Sequence, residues 1–155
     1  MMGGSYPGGR DDIEWNIRCD PGAAAAVFAA PLPVLRAVGL DVTRKVRMEA
    51  DGVRERFRGA LLGAVADFAQ AWFERRPELT FHDPLAAVTV FDREICRFEP
   101  GHVTVSQEEG SAGGTCWQPG PGSSPHEVAV GVDAVRFFDH FFSVFPDEPD
   151  TSAHR

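Results

Sequence analysis

The sequence is poor in the features that would commit it to nucleic acid, a bilayer or an oxidising compartment. Basic residues are in deficit: 15 Lys and Arg stand against 23 Asp and Glu, a formal charge of −8 with a pI near 5.0. A protein that tracks a phosphate backbone needs a basic stripe, so no nucleic-acid partner is expected. Long apolar runs are lacking as well. The longest, residues 23–35, is broken by Pro31 and Pro33 and falls short of the roughly 20 residues that span a bilayer. With no charged-then-apolar leader either, no membrane partner and a soluble, cytoplasmic setting are the expectation. Cys19, Cys96 and Cys116 show no C-x-x-C spacing and cannot all pair. The expectation is a reducing compartment in which each is a small buried hydrophobe. No G-x-G-x-x-G or P-loop spacing, no internal repeat and no zinc-like histidine spacing is present, and His102, His126, His140 and His154 read as surface residues.

What is there suffices for one domain. A chain of 155 residues, 43% hydrophobic, can bury a real core. Residues 1–146 are expected to form that domain, with 147–155 a disordered, solvating acidic tail. Met1 to Arg10 is glycine-rich and turn-forming, the kind of segment that follows a strand, which suggests that the domain begins upstream. Asp20-Pro21 supplies a cap and a first-turn proline for an alanine-rich helix closed by Pro31 and Pro33. Val34, Leu35, Val38 and Leu40 make a compact apolar run expected as a buried strand. From Asp51 to Arg75 apolar residues recur at helical spacing, Val53, Phe57, Leu61, Leu62, Val65, Phe68, Ala69 and Trp72 among them, which predicts one long amphipathic helix. Leu85 to Phe91 fits a buried helix or a strand. Ile95 to Ser106 reads as strand material interrupted by a Pro100-Gly101 turn, and residues 108–125 as a Gly/Ser/Pro-rich loop or hairpin connection. A strand over 127–132, a cap at Asp133 and a helix over 134–145 follow. The Phe137-Phe138 and Phe141-Phe142 pairs, at helical spacing, are expected in the core or an interface. The alternation predicts an α/β fold: a partial, open, largely parallel sheet flanked by helices, with a small β excursion near the C-terminal end.

Two clusters of residue types could carry chemistry. His82-Asp83-Pro84 puts an imidazole beside a carboxylate at a helix start, where an anion or metal ligand is easily built, although these three residues alone favour a capping Asp83 and an ordinary polar His82. Glu14 and Asn16, two apart in a segment read as extended, would point to one side and could hold two hydroxyls, or simply be a solvated loop face.

The order of Met2-Gly3-Gly4, Glu14-Trp15-Asn16, Asp20-Pro21 with its alanine-rich helix, Gly39-Leu40-Asp41-Val42-Thr43 and His82-Asp83-Pro84-Leu85-Ala86 resembles the inosine-uridine-preferring nucleoside hydrolases, over the C-terminal half of that fold. Gly113-Gly114-Thr115 is similar to the family's stretch before its last strand and helix. The resemblance implies cleavage of the N-glycosidic bond of a ribonucleoside with the help of calcium. It also implies Asp83 as one calcium ligand, His82 as the acid toward the base, Glu14 and Asn16 on the ribose hydroxyls, and Met2 against the nucleoside. The sequence departs from the family in two places. The D-x-D-x-x-x-D-D cluster that supplies most of the calcium carboxylates does not occur here, and Arg10 stands where relatives often place a ribose-contacting asparagine. The expectation is therefore a truncated chain, inactive in isolation, whose partners are a ribonucleoside and either a separately encoded N-terminal half or further copies of itself. The alternative is a non-catalytic interaction module that keeps half of the fold.

Overall fold

The computed structural model describes residues 1–6 and 13–145. Arg10, Pro146, the acidic tail and His154 lie outside them. In chain order the elements are α1 (Trp15–Cys19), α2 (Pro21–Ala29), β1 (Leu35–Ala37), α3 (Leu40–Thr43), β2 (Arg47–Glu49), α4 (Ala50–Arg56) and α5 (Gly59–Phe73). They continue with β3 (Glu78–Thr80), α6 (His82–Val88), a 3-10 turn at Arg93–Ile95, β4 (Cys96–Val105), β5 (Thr115–Pro119), β6 (His126–Val132) and α7 (Ala134–Ser143). The caps read from the sequence are made: the Asp20 carboxylate accepts from Ala23 N at 2.8 Å and that of Asp133 from Arg136 N at 3.0 Å.

The α/β architecture stands, but within it the strand directions are mainly antiparallel. The principal sheet has the order β1-β6-β4-β5, and β2 and β3 form a separate antiparallel pair. Among the described residues only β1 with β6, and the bridge from Met2 to Val38, run parallel. The connections explain this. Residues 106–114 are too short for the crossover that a parallel neighbour requires, so β5 folds back on β4; residues 120–125 then carry the chain past β4 to β6, which lies antiparallel along the other side of β4. Met1 to Gly3 is not a free turn: Gly3 N donates to Val38 O and Val38 N to Met1 O, laying the opening residues beside β1.

Three sequence expectations are corrected. The long helix over 51–75 is two helices, because Phe57 and Arg58 leave the helical region and Gly59 takes φ +73°. Part of its supposed core stripe, Leu61, Val65, Phe68 and Trp72, faces outward, Phe68 being 83% exposed. No turn interrupts β4 at Pro100-Gly101. The Pro100 carbonyl accepts from Gly120 N on the β5 side, so its missing N–H falls on that side too, beyond the end of β5, and no β6 ladder bond is lost. Residues 108–125 hold β5, and the undecided run after His82 is a helix.

Apolar residues alternate across the sheet and build two cores. Ala37 and Val128 belong to one with Tyr6, Ile17, Phe28 and Leu35, whereas Val38 and Ala129 belong to the other with Val42, Val53, Phe57, Leu85 and Ile95. The phenylalanines of α7 pack as expected: Phe137, Phe138 and Phe141 all meet the Phe81 ring edge-on. His126 is not a surface residue. It is 2% exposed, opens β6, accepts from Val103 N at 2.8 Å through Nδ1 and sits 2.9 Å from Phe28 O through Nε2. Of the cysteines only Cys96 is buried, while Cys19 and Cys116 are exposed. No helix among the described residues is long and apolar enough to cross a membrane.

Candidate functional site

A cavity of about 690 Å³ opens where α1, the first turn of α6 and the opening segment meet, and Met2, Glu14, Asn16, His82 and Asp83 all line it. All five residues singled out in the sequence are thus brought together. Each reaches the wall for a local reason.

Glu14 is the N-cap of α1, so the Glu14-Trp15-Asn16 stretch is a helix start and not the extended segment expected. Its carboxylate is 4% exposed and is held entirely by backbone donors. Oε1 accepts from Asn16 N at 2.8 Å; Oε2 accepts from Ile17 N at 3.0 Å and from Gly4 N at 3.4 Å. A carboxylate has about four lone-pair positions, so one remains, on Oε1. The packing of α1 rests on Ile17, which is 1% exposed, and leaves Asn16 outward. The Asn16 amide nitrogen lies 3.3 Å from Met2 Sδ and 3.5 Å from Met2 O.

The loop from Gly4 to Tyr6 is pinned from three sides. Glu14 holds Gly4, the Asp41 carboxylate accepts from Tyr6 N, and Thr115 Oγ1 both accepts from Ser5 N at 3.0 Å and donates to Ser5 O at 2.8 Å. Gly4 has φ +86°, and a side chain there or at Gly39 would run into the Tyr6 ring. Burial, with the Glu14 and Asp41 charges adding to it, pushes the Tyr6 phenol well above its ordinary range, so it stays neutral.

His82 is the first residue of α6, and its Nδ1 lies 2.8 Å from Thr43 Oγ1. Desolvation holds the imidazole below its ordinary value; Asp83 opposes that shift, Arg44 adds to it and Glu14 opposes it. Asp83 is not a hydrogen-bonded cap, because the N-cap position is Phe81. Its carboxylate sits exposed in the first turn and makes no hydrogen bond or ion pair among the described residues.

These residues do not complete a calcium site. Calcium takes six to eight oxygens. Among the described residues no group of three or more His, Cys, Asp and Glu could hold a metal, and Glu14 spends all but one of its acceptor positions on backbone N–H groups. Asp83 stands as a single outward-facing carboxylate. Thr43, Asp41, Gly113 and Thr115 support the site without having been singled out by residue type. Their one signal in the sequence is membership of the Gly39-to-Thr43 and Gly113-to-Thr115 stretches.

Residues 1–139 match the family described as inosine-uridine preferring nucleoside hydrolase. Among solved structures the chain is similar to a purine-preferring ribonucleoside hydrolase from Gardnerella vaginalis, with 27% identity and a TM-score of 0.72 over 92% of this chain and 49% of that one. It shares its fold with an inosine-uridine preferring nucleoside hydrolase from Bacillus anthracis, at 24% identity and TM-score 0.68 over 92% and 49% of the two chains. The same holds for an inosine-guanosine nucleoside hydrolase, at 21% identity and TM-score 0.73 over 89% and 48%. The chain spans about half the length of each, and no curated protein sequence matches it. The family match over most of the chain and a fold shared with these hydrolases agree: the chain belongs to the inosine-uridine preferring nucleoside hydrolase family.

Proposed function

We propose that this chain forms the ribose- and base-facing wall of a nucleoside N-ribohydrolase site, and that the metal-holding carboxylates come from a complementary segment of the family fold. The observation that carries this reading is the convergence of Met2, Glu14, Asn16, His82 and Asp83, from separate stretches of sequence, on one cavity.

The chemistry follows from the side chains. The Asn16 amide can donate and accept, and Glu14 keeps one acceptor position, which suits a pair of ribose hydroxyls. The Met2 thioether offers a soft apolar contact. Cleavage of an N-glycosidic bond builds positive charge on the sugar and negative charge on the departing base. Carboxylates beside the sugar favour the first, and an imidazole N–H aimed at the base favours the second. Among the described residues Asp83 would be the single ligand to calcium. One carboxylate cannot make a site of six to eight oxygens, so hydrolysis by these described residues alone is not expected.

Titration of inosine and uridine into the isotopically labelled chain tests the reading. Amide shifts should concentrate at Gly4, Asn16 and His82, with a dissociation constant on the order of millimolar. Shifts scattered elsewhere, or none at saturating nucleoside, would overturn it. Release of free base in calcium-containing buffer should be negligible for this chain and should appear when a family segment bearing the aspartate cluster is added. Rapid turnover by the chain alone would refute that division of labour.

A further inference from the structure

The function proposed above leaves α3 without a role, yet this single turn touches both loops of the cavity. Its Asp41 carboxylate holds Tyr6 N and so fixes the segment that carries Met2 and Gly4. Its Thr43 is fully buried, at 0% exposed, and its hydroxyl meets Nδ1 of His82 at 2.8 Å. That nitrogen is the one hydrogen-bond partner of the hydroxyl among the described residues. A hydroxyl removed from water must find an acceptor, and here Nδ1 alone is on offer. Thr43 therefore donates, Nδ1 carries no proton, and the ring N–H is on Nε2, at the edge left for the cavity that His82 lines.

We propose that Thr43 is a positioning residue: by donating to Nδ1 it locks the His82 ring in the Nε2–H tautomer and aims that N–H at the departing base. The identity of the ligand rests on the nucleoside reading above; the tautomer does not. Asp41 and Thr43, two positions apart on one short turn, then set the sugar-side loop and the base-side imidazole from a common support. This accounts for the Gly39-to-Thr43 motif, with Gly39 leaving room for the Tyr6 ring that Asp41 anchors.

Long-range nitrogen–proton correlation of the histidine rings tests this without any activity. In the unsubstituted chain His82 should show the Nε2–H pattern, and an Nδ1–H pattern overturns the proposal before any variant is made. Thr43→Val keeps the shape and removes the donor. Its His82 spectrum should move to mixed tautomers and inosine binding should weaken about three- to tenfold, the range of one lost neutral hydrogen bond. Thr43→Ser should restore both. An unchanged His82 spectrum in Thr43→Val refutes the proposal. A spectrum that switches as expected in a chain that never responds to inosine upholds the hold of Thr43 on His82 and overturns the nucleoside reading instead.

Discussion

Replacing Glu14 by Gln tests whether its carboxylate is the joint between the opening segment and α1. The side chain is 4% exposed, so solvent screening takes little from its interactions. It accepts two good hydrogen bonds, from Asn16 N at 2.8 Å and Ile17 N at 3.0 Å, and a long one from Gly4 N at 3.4 Å. Glutamine has one carbonyl oxygen. Turned toward Ile17 and Gly4 it keeps those two bonds in weaker, uncharged form and presents its NH₂ to Asn16 N–H, donor against donor. One bond to a charged acceptor is worth about 1.5–3 kcal/mol, and the lower desolvation cost of a neutral amide returns part of it. The net loss should be about 2 kcal/mol, or roughly 4–8 °C in Tm for a domain of this size. Glu14→Ala, which strands all three donors, should lose about 3 kcal/mol. Urea unfolding at unchanged m-value is the assay. Glu14→Gln within about 0.5 kcal/mol of the parent would refute the argument, since the carboxylate would then not be holding the loop.

Further expectations follow from the same geometry. Gly113→Ala should destabilise the chain and displace α1, because Gly113 has φ +89° and an added Cβ would lie 2.9 Å from Ile13 Cγ2 and 3.2 Å from Arg18 Cα; an Asn16 amide unmoved in the spectrum would contradict this. The half-buried His82 imidazole, held below its ordinary value near 6.5, takes up a proton less readily folded than unfolded. Its contribution is therefore complete above about pH 6.5 and is lost as pH falls below it. His82→Gln should flatten that part of the stability profile, and a gain in stability on acidification that disappears in His82→Gln would refute the sign. A thiol reagent at neutral pH should modify Cys19 and Cys116, which are exposed, and reach Cys96 only in denaturant, because burial pushes that thiol up to about 12; rapid labelling of all three would show that the β4 core opens.

Much of the molecule was legible in local chemistry. The Asp20 and Asp133 caps, the alanine-rich helix and the phenylalanine cluster of α7 follow from side chains acting on their own neighbours, so spacing alone exposes them. The grouping of Met2, Glu14, Asn16, His82 and Asp83 was also available, through the order of motifs shared with a family. Residue type by residue type, each had an ordinary explanation.

Tertiary structure decided the rest. The periodic stripe from Val53 to Trp72 cannot say where a helix breaks. The break comes at Gly59, where the Phe57 ring turns in to meet Phe81 and Phe142, contacts made by residues far along the chain. Strand direction was misread because it depends on which strands become neighbours. The connection after β4 is too short for anything but an antiparallel return into β5, and β6 is antiparallel to β4 because the chain crosses from β5 to the other side of β4. The contacts at the site were decided in the same way. Glu14, a candidate for ribose, has three of its roughly four acceptor positions taken by backbone N–H groups, and Thr43, a plain threonine in the sequence, meets the His82 ring through its hydroxyl. Sequence determines which groups can donate and accept. Only the folded chain decides which of them are spent on each other and which are left facing the cavity.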